Sequence, residues 1–247
     1  MINLLDLMGQ RVLVSGASGA LGGAAARALA TMNADLVLTD LKAPEGLASE
    51  LTSARGKVEA VALDNTDRES VDEKVASFGA LDAFCDASGV YVKGDWVSGD
   101  DWEDNLERTL DINVRGPLNL VRAIMPAMAR RGRGRIALTT SMAARNSGTT
   151  LSVEPAYVAS KGALQALVRF FARQCAADGV VINAVAPGPI ATPMTISSKQ
   201  PFDLDKLPTR RFGKPEEVGW PLAFLCTPGC GYMTGVVIDI NGGLHFS

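Results

Sequence analysis

The chain has 247 residues, of which 47% are hydrophobic and 21% are charged, and its formal net charge is −3 at pH 7. This composition is that of a globular protein large enough for one α/β domain. The acidic balance offers no basic surface for nucleic acid. No segment reaches the roughly 18 uncharged apolar residues that a membrane span needs. We therefore expect no nucleic-acid partner and no membrane insertion.

Short apolar runs alternate with helical patterns along the chain. Strands are predicted at 11–15, 34–39, 58–63, 81–85, 135–140, 180–185 and 236–240, and helices at 20–31, 66–77, 155–177 and from 214. The stretch 101–130 is predicted to be one long helix or a helix with a bend. Strands that alternate with helices of this length form a parallel sheet covered on both faces. We predict an α/β fold, a doubly wound seven-stranded parallel sheet with helices on both faces, as a single domain over 1–247. The proline-containing stretch 190–208 lacks periodicity and is predicted to be a substrate lid.

The amino terminus and the cysteines predict a cytoplasmic location. The first six residues carry an acid at Asp6 and no basic side chain, unlike a secretory signal. A single histidine, near the carboxyl terminus, argues against histidine-based triads. The cysteines follow no disulfide or metal-ligand spacing, so we expect a reducing compartment and no metal site. They are Cys85, Cys175, Cys226 and Cys230.

A glycine-rich turn follows the first predicted strand and opens the first predicted helix. Its sequence is Ser15-Gly16-Ala17-Ser18-Gly19-Ala20-Leu21-Gly22. Glycines there permit a tight turn and let backbone N–H groups approach a pyrophosphate at the helix N-terminus. The alternative is a plain turn that packs helix on strand, but the position between strand and helix favours dinucleotide binding.

Asp40 ends the second strand, eighteen positions after Gly22. A carboxylate at that point can accept hydrogen bonds from both ribose hydroxyls, and it would repel a 2′-phosphate. Positions 17, 18 and 41 supply no arginine, so NAD is favoured over NADP, although Lys42 keeps NADP as an alternative. Asp64-Asn65 and Asp86 to Gly89 end the next two strands, where they could face the adenine and ribose or serve the turns.

Tyr157 and Lys161 lie four residues apart in a predicted helix, so their side chains share one face. A neighbouring ammonium favours the phenolate, which predicts a lowered tyrosine pKa and a general acid/base role. Ser141 ends an apolar run upstream. Taken alone, such a pair is more often a packed, hydrogen-bonded contact, so the remaining motifs decide its meaning.

The ordered motifs resemble the short-chain dehydrogenase/reductase family in its single-domain, Rossmann-type branch, over essentially the whole chain. The motifs that carry the resemblance are the glycine turn, Asn113 in Asp111-Ile112-Asn113-Val114-Arg115-Gly116, Ser141, Tyr157-x-x-x-Lys161, Asn183-Ala184-Val185-Ala186-Pro187-Gly188-Pro189-Ile190-x-Thr192-Pro193, Thr234-Gly235 and Asn241-Gly242-Gly243. The resemblance implies direct hydride transfer between a nicotinamide and a substrate carbon.

The resemblance also implies a role for each site residue. Tyr157 would be the general acid/base, and Ser141 would stabilise the developing alkoxide. Lys161 would lower the tyrosine pKa and bind the nicotinamide ribose, and Asn113 would hold a helix irregularity and a relay water. The predicted cofactor contacts are Gly16, Ser18, Ala20, Leu21, Gly22, Asp40, Leu41, Asp64, Asn65, Ala87, Ser88, Gly89, Tyr157, Lys161, Pro187, Gly188, Ile190 and Thr192.

Three features depart from the family pattern. Ala20 stands where the second glycine of the turn is usual, which could tilt the helix start. Asp86-Ala87-Ser88-Gly89 replaces Asn-Asn-Ala-Gly and places a carboxylate at an apolar strand end, where it is costly unless hydrogen-bonded or paired. The segment from Ser141 to Tyr157 is a few residues longer than usual and borders the substrate site.

The substrate pocket follows from the family layout. Glu154 and Arg145 could bind a polar group of the substrate or face water. The side chains expected to line the pocket favour an apolar or ring-bearing substrate, unless they are core residues. They are Val90, Tyr91, Trp96, Met142, Leu151, Val153, Met194 and Ile196.

The sequence therefore predicts an NAD(H)-dependent oxidoreductase that interconverts a secondary alcohol and a ketone. The alternatives are an NADP(H)-dependent carbonyl reductase, a lyase or dehalogenating enzyme, and a nucleotide-sensing protein without turnover. The resemblance also implies a homo-oligomer, a tetramer or dimer assembled through the helices at 101–130 and 155–177.

Overall fold

Seven short apolar segments form one sheet in the computed structural model, which describes residues 3–52, 55–147, 153–196 and 203–246. The strands are β1 (Arg11–Ser15), β2 (Asp35–Asp40), β3 (Val58–Ala62), β4 (Ala83–Asp86), β5 (Gly134–Thr139), β6 (Val180–Pro187) and β7 (Val237–Ile240). They are paired in parallel in the order β3-β2-β1-β4-β5-β6-β7. The predicted seven-stranded, doubly wound sheet is confirmed.

Helices cover both faces of this sheet. They are α1 (Ala20–Thr31), α2 (Glu45–Leu51), α3 (Arg68–Ser77), α4 (Trp102–Leu110), α5 (Gly116–Arg130), α6 (Ala143–Asn146), α7 (Pro155–Cys175), α8 (Pro193–Ile196) and α9 (Glu216–Leu225). Alternate residues of β1 enter different cores: Val12 and Val14 pack with α1 and α9, whereas Leu13 packs with α3, α5 and α7. Because both faces are covered, the strands are almost continuously apolar.

The helix predicted at 101–130 is interrupted. A π-helix over Asp111–Arg115 separates α4 from α5. The sequence also did not predict the short helices α2, α6 and α8, and most strand ends differ by one or two residues. In the predicted lid, the described residues form α8 and a 3-10 turn at Leu204–Lys206, and 197–202 lie outside the described ranges. The lid remains a prediction.

The strand order reverses direction at the centre of the sheet. From β1 the chain proceeds outward to β2 and β3, and it then returns to place β4 on the other side of β1. In such sheets the carboxyl ends of the strands around this switch point leave a crevice in which ligands bind. The glycine turn after β1 and the polar residues after β2, β3 and β4 therefore face one another. No helix in the described ranges is long and apolar enough to cross a membrane.

Candidate active site

The turn after β1 brings three segments into close contact. Gly16 has φ +68°, a left-handed conformation that glycine adopts readily, and a Cβ atom there would lie 2.7 Å from the backbone nitrogen of Ser88. A Cβ atom on Gly22 would overlap the Gly16 carbonyl oxygen, so α1 could not approach the turn. The helix begins at Ala20, and no side chain caps it. The first N–H groups of α1 are therefore not capped by a side chain, and a helix N-terminus of this kind can bind phosphate.

A cavity of about 730 Å³ opens beyond the carboxyl ends of β1 to β4. Its walls include the predicted cofactor contacts Gly16, Asp40, Leu41, Asp64, Asn65, Ala87, Ser88 and Gly89. Helix α4 and the π-helix add Asp104, Glu107, Arg108 and Asp111, which the sequence analysis did not single out because their helical positions are ordinary surface positions. The Oδ1 atom of Asn65 is buried at this wall without a hydrogen-bond partner, as expected of an acceptor that awaits a ligand donor.

Asp40 lies between the glycine turn and the cavity. Its Oδ2 accepts a hydrogen bond from Ser18 N at 3.0 Å, and its Oδ1 accepts one from Leu41 N at 2.8 Å. A smaller neighbouring cavity of about 430 Å³ contains Ser18, Ala20 and Arg27. The guanidinium of Arg27 forms two hydrogen bonds of 2.7 Å to Glu50. The carboxylate of Asp40 is thus held between the glycine turn and the cavity, and the nearby arginine is already engaged.

Asp64 serves the turn after β3 and also lines the cavity. Its Oδ1 accepts hydrogen bonds from Thr66 N at 2.9 Å and from Thr66 Oγ1 at 2.7 Å. The turn role is therefore observed, and contact with the adenine or ribose stays a prediction for this residue. Other predicted contacts lie outside the walls of the 730 Å³ cavity: Pro187 ends β6, and Gly188, Ile190 and Thr192 follow it.

The predicted catalytic side chains converge at the ends of β5 and α7. Ser141 is buried just after β5, and its hydroxyl is near enough to Tyr157 to influence the pKa of the phenol. Lys161 is 4% exposed, and its Nζ lies 5.9 Å from the centroid of the Tyr157 ring. The ammonium donates a hydrogen bond of 3.0 Å to the Thr139 carbonyl oxygen. A Cβ atom on Gly89 would lie 3.2 Å from Nζ, so the cavity wall and the catalytic set meet at this glycine.

The pKa of Tyr157 is raised above its usual value, chiefly because burial penalises the phenolate, with a smaller contribution from Tyr91. The Ser141 hydroxyl acts in the opposite direction. The predicted lowering of the Tyr157 pKa is therefore wrong in direction, and the role of Lys161 stays a prediction. The ammonium lies 5.9 Å from the ring centroid, and burial lowers the pKa of Lys161 itself to about 8, opposed by Asp86.

Asn113 is fully buried within the π-helix. Its Oδ1 accepts a hydrogen bond from Val90 N at 2.8 Å, and its Nδ2 donates to Val90 O and Ser160 Oγ, each at 3.0 Å. The side chain therefore joins the segment after β4 to helix α7. The helix irregularity expected at Asn113 is present, and π-helical turns occur frequently at functional sites.

The segment after β4 covers Tyr157. The ring of Tyr91 contacts the ring of Tyr157 edge to face, with centroids 5.0 Å apart. The hydroxyl oxygen of Tyr91 accepts a hydrogen bond from Glu154 N at 3.2 Å, and Glu154 Oε1 accepts one from Gly94 N at 3.1 Å. Glu154 thus fastens this covering segment to the start of α7.

Arg145 neither faces water nor points a free charge toward a substrate. Its Nε lies 2.9 Å from Asp239 Oδ1, with both side chains largely buried, and its Nη2 donates to the Val237 carbonyl oxygen at 3.1 Å. Nε and Oδ1 are close but poorly aligned for a hydrogen bond, so their attraction is mainly electrostatic. The expectation of a substrate-binding or solvated arginine is wrong, since the side chain joins α6 to β7.

The other expected pocket residues have varied surroundings. Met142 is 2% exposed and belongs to the core, whereas Trp96 is 57% and Met194 45% exposed. Val153 is half-buried. Leu151 and the side chain of Ile196 lie outside the described residues.

Comparisons with known proteins agree with this geometry. A family model described as enoyl-(acyl carrier protein) reductase matches residues 16–245. Oxidoreductase UcpA of Salmonella typhimurium (strain LT2) is 33% identical over 255 residues, covering 96% of this chain and 95% of that protein. The 3-oxoacyl-(acyl-carrier-protein) reductase FabG of Thermotoga maritima is 31% identical over 253 residues, covering 97% and 99%.

A solved structure extends the likeness to three dimensions. A 7α-hydroxysteroid dehydrogenase complexed with NADH and 7-oxo-glycochenodeoxycholic acid superimposes with a TM-score of 0.89 at 26% identity, covering 98% of both chains. The fold and the sequence matches place this chain in the short-chain dehydrogenase/reductase family. It is therefore an oxidoreductase of that family, whose members use NAD or NADP.

Proposed function

We propose that the chain is an NAD(H)-dependent dehydrogenase that interconverts a secondary alcohol and a ketone, with Tyr157 as the general acid/base. The observation that carries this proposal is the convergence of buried Ser141 and buried Lys161 on Tyr157, next to a cavity that begins with the glycine turn. The nicotinamide would supply or accept the hydride.

The residues of the site would control the proton and the substrate oxygen. A phenol with a raised pKa keeps its proton at neutral pH, so Tyr157 is suited to protonate the oxygen of a ketone as it is reduced. The Ser141 hydroxyl would donate a hydrogen bond to the same oxygen and stabilise its developing charge. Lys161 would bind the ribose next to the nicotinamide, and Asn113 would keep the segment after β4 in place.

The proposal of NAD rather than NADP rests on Asp40. Its carboxylate accepts a hydrogen bond from the glycine turn, and a 2′-phosphate beside it would be repelled. Arg27, which borders the adjoining cavity, is neutralised by Glu50.

An apolar or ring-bearing substrate is favoured by the side chains near Tyr157. The ring of Tyr91 and the half-buried Val90 present apolar surface beside the phenol, and Trp96 is exposed on the same segment. Neither the carboxylate of Glu154 nor the guanidinium of Arg145 is free to bind a charged substrate, because both are engaged in protein contacts.

The first test compares Tyr157→Phe with Tyr232→Phe, a control at a fully exposed tyrosine. The proteins are mixed with NAD or NADP and a panel of cyclic and aryl secondary alcohols, and NADH formation is followed by absorbance. We expect turnover with NAD, a loss of roughly 100-fold to 10,000-fold in kcat for Tyr157→Phe, and no loss for Tyr232→Phe. NADH binding, measured by fluorescence, should survive in both variants. Retained turnover in Tyr157→Phe would remove this residue from the mechanism.

Location and assembly remain part of the proposal. The four cysteines are free and buried, which supports a reducing compartment such as the cytoplasm. A dimer or tetramer assembled through α4, α5 and α7 is expected from the family resemblance.

A further inference from the structure

Asp86 presents a physical problem at the end of β4. Its side chain is completely buried, and Oδ1 accepts hydrogen bonds from Ser15 Oγ and Ser88 Oγ, each at 2.6 Å, and from Ser88 N at 3.2 Å. Its Oδ2 is buried without a hydrogen-bond partner. A buried carboxylate that is only half satisfied is costly unless an opposite charge lies nearby.

The ammonium of Lys161 lies against the same turn. It donates to the Thr139 carbonyl oxygen at 3.0 Å, while Thr139 Oγ1 donates to the Asp86 carbonyl oxygen at 2.6 Å. A Cβ atom built on Gly89, three residues after Asp86, would lie 3.2 Å from Nζ of Lys161. A buried cation therefore lies against the short turn that begins at a buried acid, and Thr139 joins the ammonium to the main chain of Asp86.

The other elements around Lys161 contribute no compensating charge among the described residues. Asp111, on the π-helix, pairs with Arg115 at 3.1 Å, and Asp86 is the acid that acts on Lys161. The phenols of Tyr157 and Tyr91 have raised pKa values and are neutral at neutral pH. The remaining groups that the structure places near the ammonium are uncharged: Thr139 on β5 and Asn113 on the π-helix.

We propose that Asp86 is a positioning residue whose carboxylate keeps Lys161 in its ammonium form by charge compensation across the turn that follows β4. The inference concerns the active site of the proposed dehydrogenase and rests on that function. Burial lowers the pKa of Lys161 to about 8, and Asp86 opposes this change. Burial likewise raises the pKa of Asp86, and the hydrogen bonds of Ser15 and Ser88 and the charge of Lys161 oppose that rise. An asparagine at this position would preserve an acceptor oxygen but remove the charge.

The test follows Lys161 directly in the full-length protein without substrate. The ¹³C chemical shift of its ε-methylene group, assigned by comparison with Lys161→Met, is titrated by NMR in the wild type, Asp86→Asn and Ser15→Ala. We expect a midpoint at about 8 in the wild type. The midpoint should be roughly one pH unit lower in Asp86→Asn, because the compensating charge is gone. Ser15→Ala, the matched control, removes a hydrogen bond but keeps the charge, so its midpoint should equal that of the wild type.

An unchanged midpoint in Asp86→Asn would overturn the proposal. An equal fall in Ser15→Ala would also overturn it, because the hydrogen bonds rather than the charge would then be responsible. A measurement on the wild type alone is independent of whether the variants fold: the ¹³C shift of the Asp86 carboxyl group should be that of a carboxylate at neutral pH. A neutral Asp86 there would contradict the proposal.

Kinetics supply the functional readout. In Asp86→Asn, the alkaline loss of kcat/KM with an alcohol and NAD should begin at a lower pH than in the wild type, while the Kd for NADH changes little. Equal pH profiles would contradict the role in the reaction. If the wild type turns over no alcohol, the proposed function fails. The NMR titrations of Lys161 still decide whether Asp86 compensates its charge.

Discussion

At the residue scale, we propose that Asp40 determines the choice between NAD and NADP. We predict that Asp40→Ala and Asp40→Asn both improve the use of NADP relative to NAD, since like charges placed together cost several kcal/mol. The ratio of the two kcat/KM values should change by at least roughly tenfold, the equivalent of about 1.4 kcal/mol. Asparagine keeps an oxygen that accepts the hydrogen bond from Ser18 N. Comparing the two variants therefore distinguishes the effect of the charge from the effect of this hydrogen bond. An unchanged ratio in both variants would refute the assignment.

Tyr157 illustrates what residue spacing can and cannot predict. A separation of four positions places Tyr157 and Lys161 on one helix face, and the structure has them side by side. The sequence contains no measure of desolvation, however, and burial is the largest influence on both pKa values. The general acid/base hypothesis therefore came from the sequence, whereas the direction of the pKa change required the structure.

At the element scale, α6 and β7 are joined by the ion pair of Arg145 and Asp239. We predict that Arg145→Met lowers the free energy of unfolding by about 3 kcal/mol, because Asp239 would remain buried without its partner. Urea unfolding measures this change. Because α6 begins two residues after Ser141, kcat/KM should also fall while NADH affinity is retained.

A double-mutant cycle provides the control for this prediction. Arg145→Met combined with Asp239→Leu removes both charges, and replacement of a buried pair by apolar groups is often neutral or stabilising. The double variant should therefore be more stable than Arg145→Met alone. If the double variant is no more stable than the single one, the pair is not coupled as proposed.

The elements that the sequence predicted are those with a long periodic pattern or a strong terminal signal. Asp67 accepts a hydrogen bond from Ser70 N at the start of α3, in the N-cap role that aspartate commonly takes. The short helices α2, α6 and α8 contain too few residues to show periodicity, so they were not predicted. The π-helix depends on the contacts of Asn113 with Val90 and Ser160, which are distant in sequence.

At the scale of the whole molecule, topology could be predicted because strand and helix patterns alternate without interruption. The contacts between residues that are distant in sequence could not be predicted. Cys85, Cys226 and Cys230 follow no motif, yet all three are buried in one core because α9 covers the face of the sheet that β4 lines. Asp239 is likewise unremarkable in the sequence, and only the fold brings it to Arg145. Residue spacing therefore predicts motifs whose members are close in sequence. It does not predict contacts between residues that only the folded sheet brings together.

The exposed face of α7 is the surface that we expect to contact another subunit. Ala159, Ala163, Ala166 and Phe170 are exposed at spacings of three and four residues, so they form an apolar stripe along one side of the helix. We predict that the protein is a dimer or tetramer in solution and that Ala166→Arg reduces its mass by light scattering, because a charge would be buried without a partner. Ser49→Arg, which places the same side chain on an exposed position of α2, is the control and should leave the mass unchanged. A monomeric wild type, or an Ala166→Arg variant of unaltered mass, would contradict an interface on this face of α7.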